Sequence, residues 1–325
     1  MRCPRCGANP GHTPGRRNAR RSRCVGQTGG MTSQVLVIGE ALIDIVETVG
    51  GDRELVGGSP ANVAIGLARQ GHDVTLLTRL GRDDRGARIA AQVEESGAVV
   101  ADESWSDAAT STARARLRTD GSAEYDFDID WTIAAPALRD ASAVHTGSIA
   151  LFLEPGGTAV LDALQRAKGR ALITLDPNIR PALVGEHREA HARFVAAART
   201  ADLVKLSDED AAWLFPGLLP EQVLAEIAAY GPRIVVITRG GEGALGLGPG
   251  GITEVDPYVV DVADTIGAGD AAMASLISSA LDDPLLFESE AAFERALRRA
   301  AVMAGITVSR PGANPPARAE VDAAL

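Results

Sequence analysis

Asp264-Thr265-Ile266-Gly267-Ala268-Gly269-Asp270 sets two glycines and two carboxylates directly ahead of an apolar, alanine-rich run from Ala271 to Leu281. The run reads as a helix, so the glycines fall at its N-terminus. Free backbone N–H groups and the positive end of the helix macrodipole attract anions there. A carboxylate pressed against an anion site is unfavourable unless it does chemistry. Asp270 is placed to take a proton from a nucleophile aimed at that anion. Together these residues point to phosphoryl transfer to an alcohol. The stretch Gly267 to Ala272 also matches the loose dinucleotide fingerprint, glycine-x-glycine-x-x-alanine. That fingerprint belongs after the first strand of a βαβ unit, with an acid on the next strand. Here it lies near the C-terminus with only helices expected after it, which disfavours a dehydrogenase.

Four further stretches carry groups that could bind. Gly57-Gly58-Ser59-Pro60-Ala61-Asn62 precedes a long helix; paired glycines admit close backbone approach, and Asn62 offers both donor and acceptor. Asp176-Pro177-Asn178-Ile179-Arg180 ends a strand, and Asp44 follows the first strand. Both fall at the sheet edge where ligands bind in open α/β sheets, although turn formation and helix capping use the same residue types. Thr238-Arg239-Gly240-Gly241-Glu242-Gly243 follows another strand and could bend main chain around a nucleotide phosphate, or be a plain glycine turn. Ser207-Asp208-Glu209-Asp210 could bring a carboxylate near magnesium, or form an N-capping box.

The elements that must position these groups follow from Met31 onward. Short apolar runs at Val35–Ile38, Val74–Thr78, Ala143–Thr146, Ala171–Asp176, Leu203–Leu206 and Ile234–Thr238 read as strands. Amphipathic stretches between them read as helices: Asp83–Ser96, Thr158–Lys168, Arg188–Thr200 and Glu221–Tyr230. Ser59 is expected as an N-cap with Pro60 in the first turn, and Gly71 as the helix end. Two last helices, Asp270–Leu281 and Glu290–Gly305, complete the body. Such alternation predicts a mostly parallel sheet covered on both faces. Thr110–Phe127, with Asp120-Gly121 as a hairpin turn, and Ile43–Val56, with Gly50-Gly51, break the rhythm. They are either a small separate sheet acting as a lid or an ordinary pair of surface hairpins.

Composition narrows the class. At 325 residues, 46% of them hydrophobic, the chain holds one large α/β domain or two smaller ones. The first thirty residues carry seven arginines and no acid, so a net charge of −11 leaves −18 (−11 less 7) on the rest. So acidic a body argues against nucleic acid or an anionic membrane as partner. Only two lysines occur, Lys168 and Lys205, and neither sits in the Gly-Lys-Ser/Thr context of a P-loop. Cys3, Cys6 and Cys24 all lie in the first thirty residues, so the body has no disulfide or thiol nucleophile, as in a reducing cytosol. No stretch reaches the ~18 apolar residues of a membrane span, and no apolar region follows the Arg16-Arg17 and Arg20-Arg21 pairs. Residues 1–30, rich in Gly, Pro and Arg, read as a disordered extension ahead of a start at Met31. Alternatively Cys3, Cys6, His12 and Cys24 form a zinc knuckle.

In this order the pieces resemble the ribokinase-like (PfkB-type) carbohydrate kinases, from about Val35 to the C-terminus. The carriers are Gly57 to Asn62 running on through Leu80-Gly81-Arg82-Asp83, then Asp264 to Asp270, then Ser309-Arg310-Pro311-Gly312-Ala313. Gly39-Glu40-Ala41-Leu42-Ile43-Asp44, His145-Thr146-Gly147-Ser148, Asp176 to Arg180 and Lys205-Leu-Ser-Asp-Glu209 are similar to the fructokinase branch. Ketodeoxygluconate kinases share the Asp-Pro-Asn-x-Arg stretch. The resemblance implies a central sheet with helices on both faces and a β-lid, residues 31–325 forming the kinase domain with lid segments near 43–56 and 110–127.

It implies ATP-dependent phosphorylation of a primary hydroxyl, the 6-position of D-fructose first, with ketodeoxygluconate or another sugar as the alternative. A catalytically silent sugar- or nucleotide-binding regulator is the reading from another class. Asp270 is implied as the base and the amides of Gly267, Ala268 and Gly269 as the anion hole. Asp44, Gly57, Gly58, Asn62, Asn178 and Arg180 are implied for the sugar, and Lys205, Thr238, Gly240, Gly243, Gly267 and Gly269 for ATP. Magnesium would bridge the phosphates, and potassium could sit on the carbonyls of Asp264 and Ile266. The partners are a small sugar and ATP, with no nucleic acid or membrane, in a cytoplasmic monomer or homodimer. Two departures stand out. The family's Asn-x-x-Glu element is here Ser207 and Asp210, which puts metal dependence through it in doubt. Ala271-Ala272 follows the base where a bulkier residue often stands.

Overall fold

The computed structural model describes residues 34–48, 51–117 and 123–325. The cysteine-bearing extension and the Asp120-Gly121 turn lie outside them. Fifteen strands follow in chain order among the described residues: β1 Gln34–Ile38, β2 Leu42–Thr48, β3 Gly51–Gly57, β4 Asp73–Leu77, β5 Leu80–Gly81, β6 Val99–Val100, β7 Trp105–Ser106, β8 Thr112–Leu117, β9 Ala123–Asp128, β10 Ala143–Gly147, β11 Leu172–Asp176, β12 Leu203–Ser207, β13 Ile234–Thr238, β14 Ala244–Gly248 and β15 Gly251–Val255. The helices are α1 Ser59–Arg69, α2 Asp84–Glu95, α3 Ser148–Phe152, α4 Gly156–Ala167, α5 His187–Ala198, α6 Asp208–Leu214, α7 Pro220–Tyr230, α8 Ala268–Asp282, α9 Glu290–Val308 and α10 Arg318–Ala324.

Nine strands form one sheet in the order β15-β14-β13-β12-β11-β10-β1-β4-β6, parallel except at β14 and β15. Its inner strands are largely apolar, β1 and β13 most clearly, because both faces are covered. Val35 and Val37 join the core under α1, α2, α8 and α9, while Leu36 and Ile38 join the core under α3 to α7. Ile234 and Val236 divide from Val235 and Ile237 in the same way. From β1 the chain first builds outward through β4 to β6, then returns to β10 and builds the other way. The order therefore reverses between β1 and β10, which opens a crevice at the carboxyl ends of those strands.

Two excursions leave the chain's main path, β2-β3 between β1 and α1, and β8-β9 before β10. They pair with each other into a second sheet, β3-β2-β8-β9, with β2 parallel to β8. The two irregular segments at 43–56 and 110–127 thus make one separate sheet.

Three expectations change. Ser59 is not the cap of α1; the cap is Gly58, which takes φ +110. A third C-terminal helix, α10, follows the two expected ones and buries Val321. Strand β15 pairs with β14 as an antiparallel edge where no strand was expected.

Candidate active site

Helix α8 starts where its glycines allow. Gly267 is the cap with φ +79, and a Cβ there would lie 2.7 Å from the Ala313 Cβ. Only glycine fits that turn beside the loop of Ser309 to Ala313. Asp264 ties the same loop down, taking hydrogen bonds from the amides of Ile266 (3.1 Å) and Gly312 (2.9 Å). The first-turn amides of α8 have no carbonyl ahead of them within the helix, and Asp270 stands among them, only 8% exposed.

Helix α1 brings two side chains to that acid. Ser59 Oγ donates to Asp270 Oδ1 at 2.6 Å, and Asn62 Nδ2 donates to Oδ2 at 2.8 Å. The helices come this close because small residues face each other further along, a Cβ on Gly66 lying 2.8 Å from the Ala274 Cβ. Asn62 Oδ1 is buried without a partner among the described residues.

On the other side of α8 lies a buried charge pair. Lys205 Nζ donates to Asp176 Oδ2 at 2.8 Å, with the two side chains 4% and 1% exposed. A Cβ on Gly269 would lie 2.9 Å from Lys205 Nζ, so the ammonium sits against the start of α8. Burial works against the charge on Lys205, but Asp176, with Asp270 and Asp210, raises its pKa and keeps it cationic. Burial pushes Asp176 up to about 6, opposed by Lys205, so both partners are charged at neutral pH. His145, buried beside them, is pushed down to about 3 by burial and then by Lys205. It is therefore neutral and is held by Thr174 Oγ1 at 3.0 Å.

The third group lies at the reversal of the sheet. A Cβ on Gly57 would fall 1.9 Å from Asp44 Oδ2, and one on Gly58 would fall 2.5 Å from the Glu40 carbonyl oxygen. The glycines thus let an acid and a main-chain turn press against the start of α1. Burial raises the pKa of Asp44, with Arg180 opposing. Burial also pushes Glu40 up to about 7, although Ser148, its own amide, the Ala150 amide and Arg180 all pull it down. A carboxyl whose folded pKa is raised favours folding while protonated, and that contribution is lost as pH rises from the ordinary carboxylate range through about 7. Urea unfolding at stepped pH should therefore show Glu40→Gln gaining stability relative to the wild type across that window. A constant difference between the two would contradict it.

The expected nucleotide turn is present at the end of β13. Thr238 Oγ1 donates to the Leu206 carbonyl at 3.4 Å, and Gly240 and Gly243 adopt φ +52 and +81. The bond joins this turn to the strand that carries Lys205. Asn178 stands near Arg180, whose Nη1 donates to Asn178 Oδ1 at 2.7 Å. Asp210 accepts from two backbone amides. It closes the capping box of α6 with Ser207, its Oδ2 taking the Ser207 amide at 3.0 Å, while Oδ1 takes the Ile179 amide at 2.7 Å. Of the two readings of that stretch, the structure displays the cap. Among the described residues no three His, Cys, Asp or Glu converge to hold a metal.

Sequence reasoning missed Ser59, Glu40 and the pairing of Asp176 with Lys205. Signals existed for the last two: a lone acid after the apolar run of β1, and one opposite charge on each of two neighbouring apolar strands.

A helix-borne acid at the switch point of a doubly covered parallel sheet, with a small second sheet beside it, is the architecture of the ribokinase-like kinases. The chain belongs to the pfkB family of carbohydrate kinases, whose model matches residues 32–320. It is 31% identical over 320 residues to a probable fructokinase-4 of Arabidopsis thaliana, covering 92% of this chain and 98% of that protein. Its fold matches a fructokinase of Vibrio cholerae O395 solved with fructose, ADP and calcium, with TM-score 0.79 and 26% identity over 90% of this chain and 98% of the other. A double mutant of that protein, solved with fructose, ADP and potassium, matches with TM-score 0.78 and 25% identity over the same 90% and 98%.

Proposed function

We propose that this site transfers the terminal phosphoryl group of ATP to the primary hydroxyl at the 6-position of D-fructose. The observation that carries the reading is Asp270, an acid fixed on both oxygens in the first turn of a glycine-opened helix, with a buried ammonium against the same turn. The hydroxyl oxygen attacks the γ-phosphorus, its proton passes to Asp270, and the bond from that phosphorus to the departing ADP oxygen breaks. The amides of Gly267, Ala268 and Gly269, with Lys205, hold the charge on the moving group. The unpartnered Oδ1 of Asn62 accepts a hydrogen bond from a sugar hydroxyl. Asp44 takes others above Gly57 and Gly58, with Asn178 and Arg180 at the pocket's margin. Thr238, Gly240 and Gly243 cradle the nucleotide. Magnesium is kept as part of the proposal, carried in with the ATP phosphates and supplying charge neutralisation there. A monovalent cation on the carbonyls of Asp264 and Ile266 is kept as part of the proposal.

The four-stranded sheet acts as the lid, and the kinase domain is residues 31–325. No helix among the described residues is long and apolar enough to cross a membrane. We place the enzyme in the cytoplasm as a monomer or homodimer.

Arg180 supports a second reading. It is exposed and bonds neutral oxygens of Asn178, with no acid in ion-pair range among the described residues. Its guanidinium suits the carboxylate of a sugar acid such as ketodeoxygluconate. Coupled measurement of ADP release across fructose, ketodeoxygluconate, ribose, tagatose 6-phosphate and adenosine decides between them. Fructose should give the largest kcat/KM. A larger value for the sugar acid transfers the assignment to it, and no release with any sugar favours a silent regulator.

A further inference from the structure

Ser59 enters no step of that reaction, yet its hydroxyl makes the shorter of the two side-chain contacts to the base, 2.6 Å against 2.8 Å for Asn62. A serine at a helix entrance ordinarily turns its oxygen back onto the helix's own amides. Here it does not. The cap is Gly58, at φ +110, where a Cβ would lie 2.5 Å from the Glu40 carbonyl oxygen, and it makes no side-chain cap bond. The helix therefore begins one residue early, and the hydroxyl of Ser59 faces α8. The charged groups facing Asp270 from the other packed elements are Lys205 on β12 and Asp176 on β11, with Asp210 in the same group of charges.

We propose that Ser59 is the positioning residue for Asp270, holding Oδ1 in the plane that Asn62 sets and yielding it by rotation when the acceptor hydroxyl arrives. The inference rests on Asp270 being the base. A carboxylate held on one oxygen alone can swing about its last torsion, which is soft. Two donors on different oxygens stop that swing. The base must nevertheless free one oxygen for the substrate proton. The Asn62 amide is planar and buried, whereas a serine hydroxyl turns freely about one bond and its oxygen can then accept. Ser59 is the partner built to let go.

The test is kcat and KM for the sugar in the wild type, Ser59→Ala, Ser59→Thr, Ser59→Cys and Asp270→Asn. Losing the hydroxyl should lower kcat of Ser59→Ala by about tenfold while KM for the sugar stays within about twofold. Threonine should return kcat to the wild-type value. Cysteine, a weak donor of similar size, should fall between, and it carries the comparison if the alanine variant does not fold. An alanine or cysteine variant with wild-type kcat overturns the proposal, as does a loss that threonine leaves unrestored. Asp270→Asn judges the base separately. If it keeps turnover, the underlying reading fails whatever Ser59 does.

Discussion

Asp270→Asn should lower kcat by about 10²–10⁴-fold while leaving ATP affinity within a few-fold. The substitution keeps size and shape but removes the carboxylate that Ser59 and Asn62 hold and that could take a proton. On the proposed reading ATP affinity survives, because the phosphates would be met by backbone amides and by Lys205, which the change leaves in place. The two quantities must therefore separate. Turnover is read in a coupled assay and affinity by equilibrium dialysis. A variant that binds ATP and turns over within a few-fold of wild type would remove Asp270 from the chemistry. One that loses both together would make it a structural acid.

Lys205→Met should be the most destabilising single change at the site, costing about 3–5 kcal/mol in urea unfolding. Methionine matches the length of the lysine stem, so packing is nearly kept and the loss is electrostatic. What remains is Asp176, 1% exposed, with one oxygen that already lacks a partner and the other newly bereft. Adding Asp176→Asn should recover most of the stability, because a neutral amide costs far less to bury than a lone carboxylate. It should not recover turnover, since the ammonium beside Gly269 is still gone. That split separates the two roles of Lys205. Recovery of both stability and activity would make the pair a structural device with no part in phosphoryl transfer.

The inner strands of the main sheet are legible because they are buried on both faces. Val35 to Ile38 feeds alternate residues to two cores, and no polar residue interrupts it. The start of α8 is legible from Gly267, whose positive φ and contact with Ala313 leave no room for a side chain. Ser59 misleads for a physical reason. Serine before proline at a helix start is a capping signal, but the hydroxyl is taken by Asp270, distant in sequence, and the cap falls on Gly58. The pairing of Asp176 with Lys205 is equally non-local. It follows from β11 lying beside β12 with Thr174 opposite Leu203 and Leu175 opposite Val204, which brings Asp176 level with Lys205. Asp210 could not be decided from sequence, because a capping box and a metal-directed acid use the same letters. What the structure adds is the Ile179 amide, brought to its second oxygen by the turn after Asp176. Helix α10 is short and opens after Pro315-Pro316 with no capping side chain of its own type, so periodicity had too little to work on.

Phosphorus NMR of the reaction of the wild-type protein with ATP and fructose bears most directly on the whole reading. One new phosphate ester on the terminal 6-carbon, formed in step with ADP and only when sugar is present, is the expected spectrum. ATP left intact beside every sugar offered, or phosphate lost to water at the same rate with and without sugar, would contradict it.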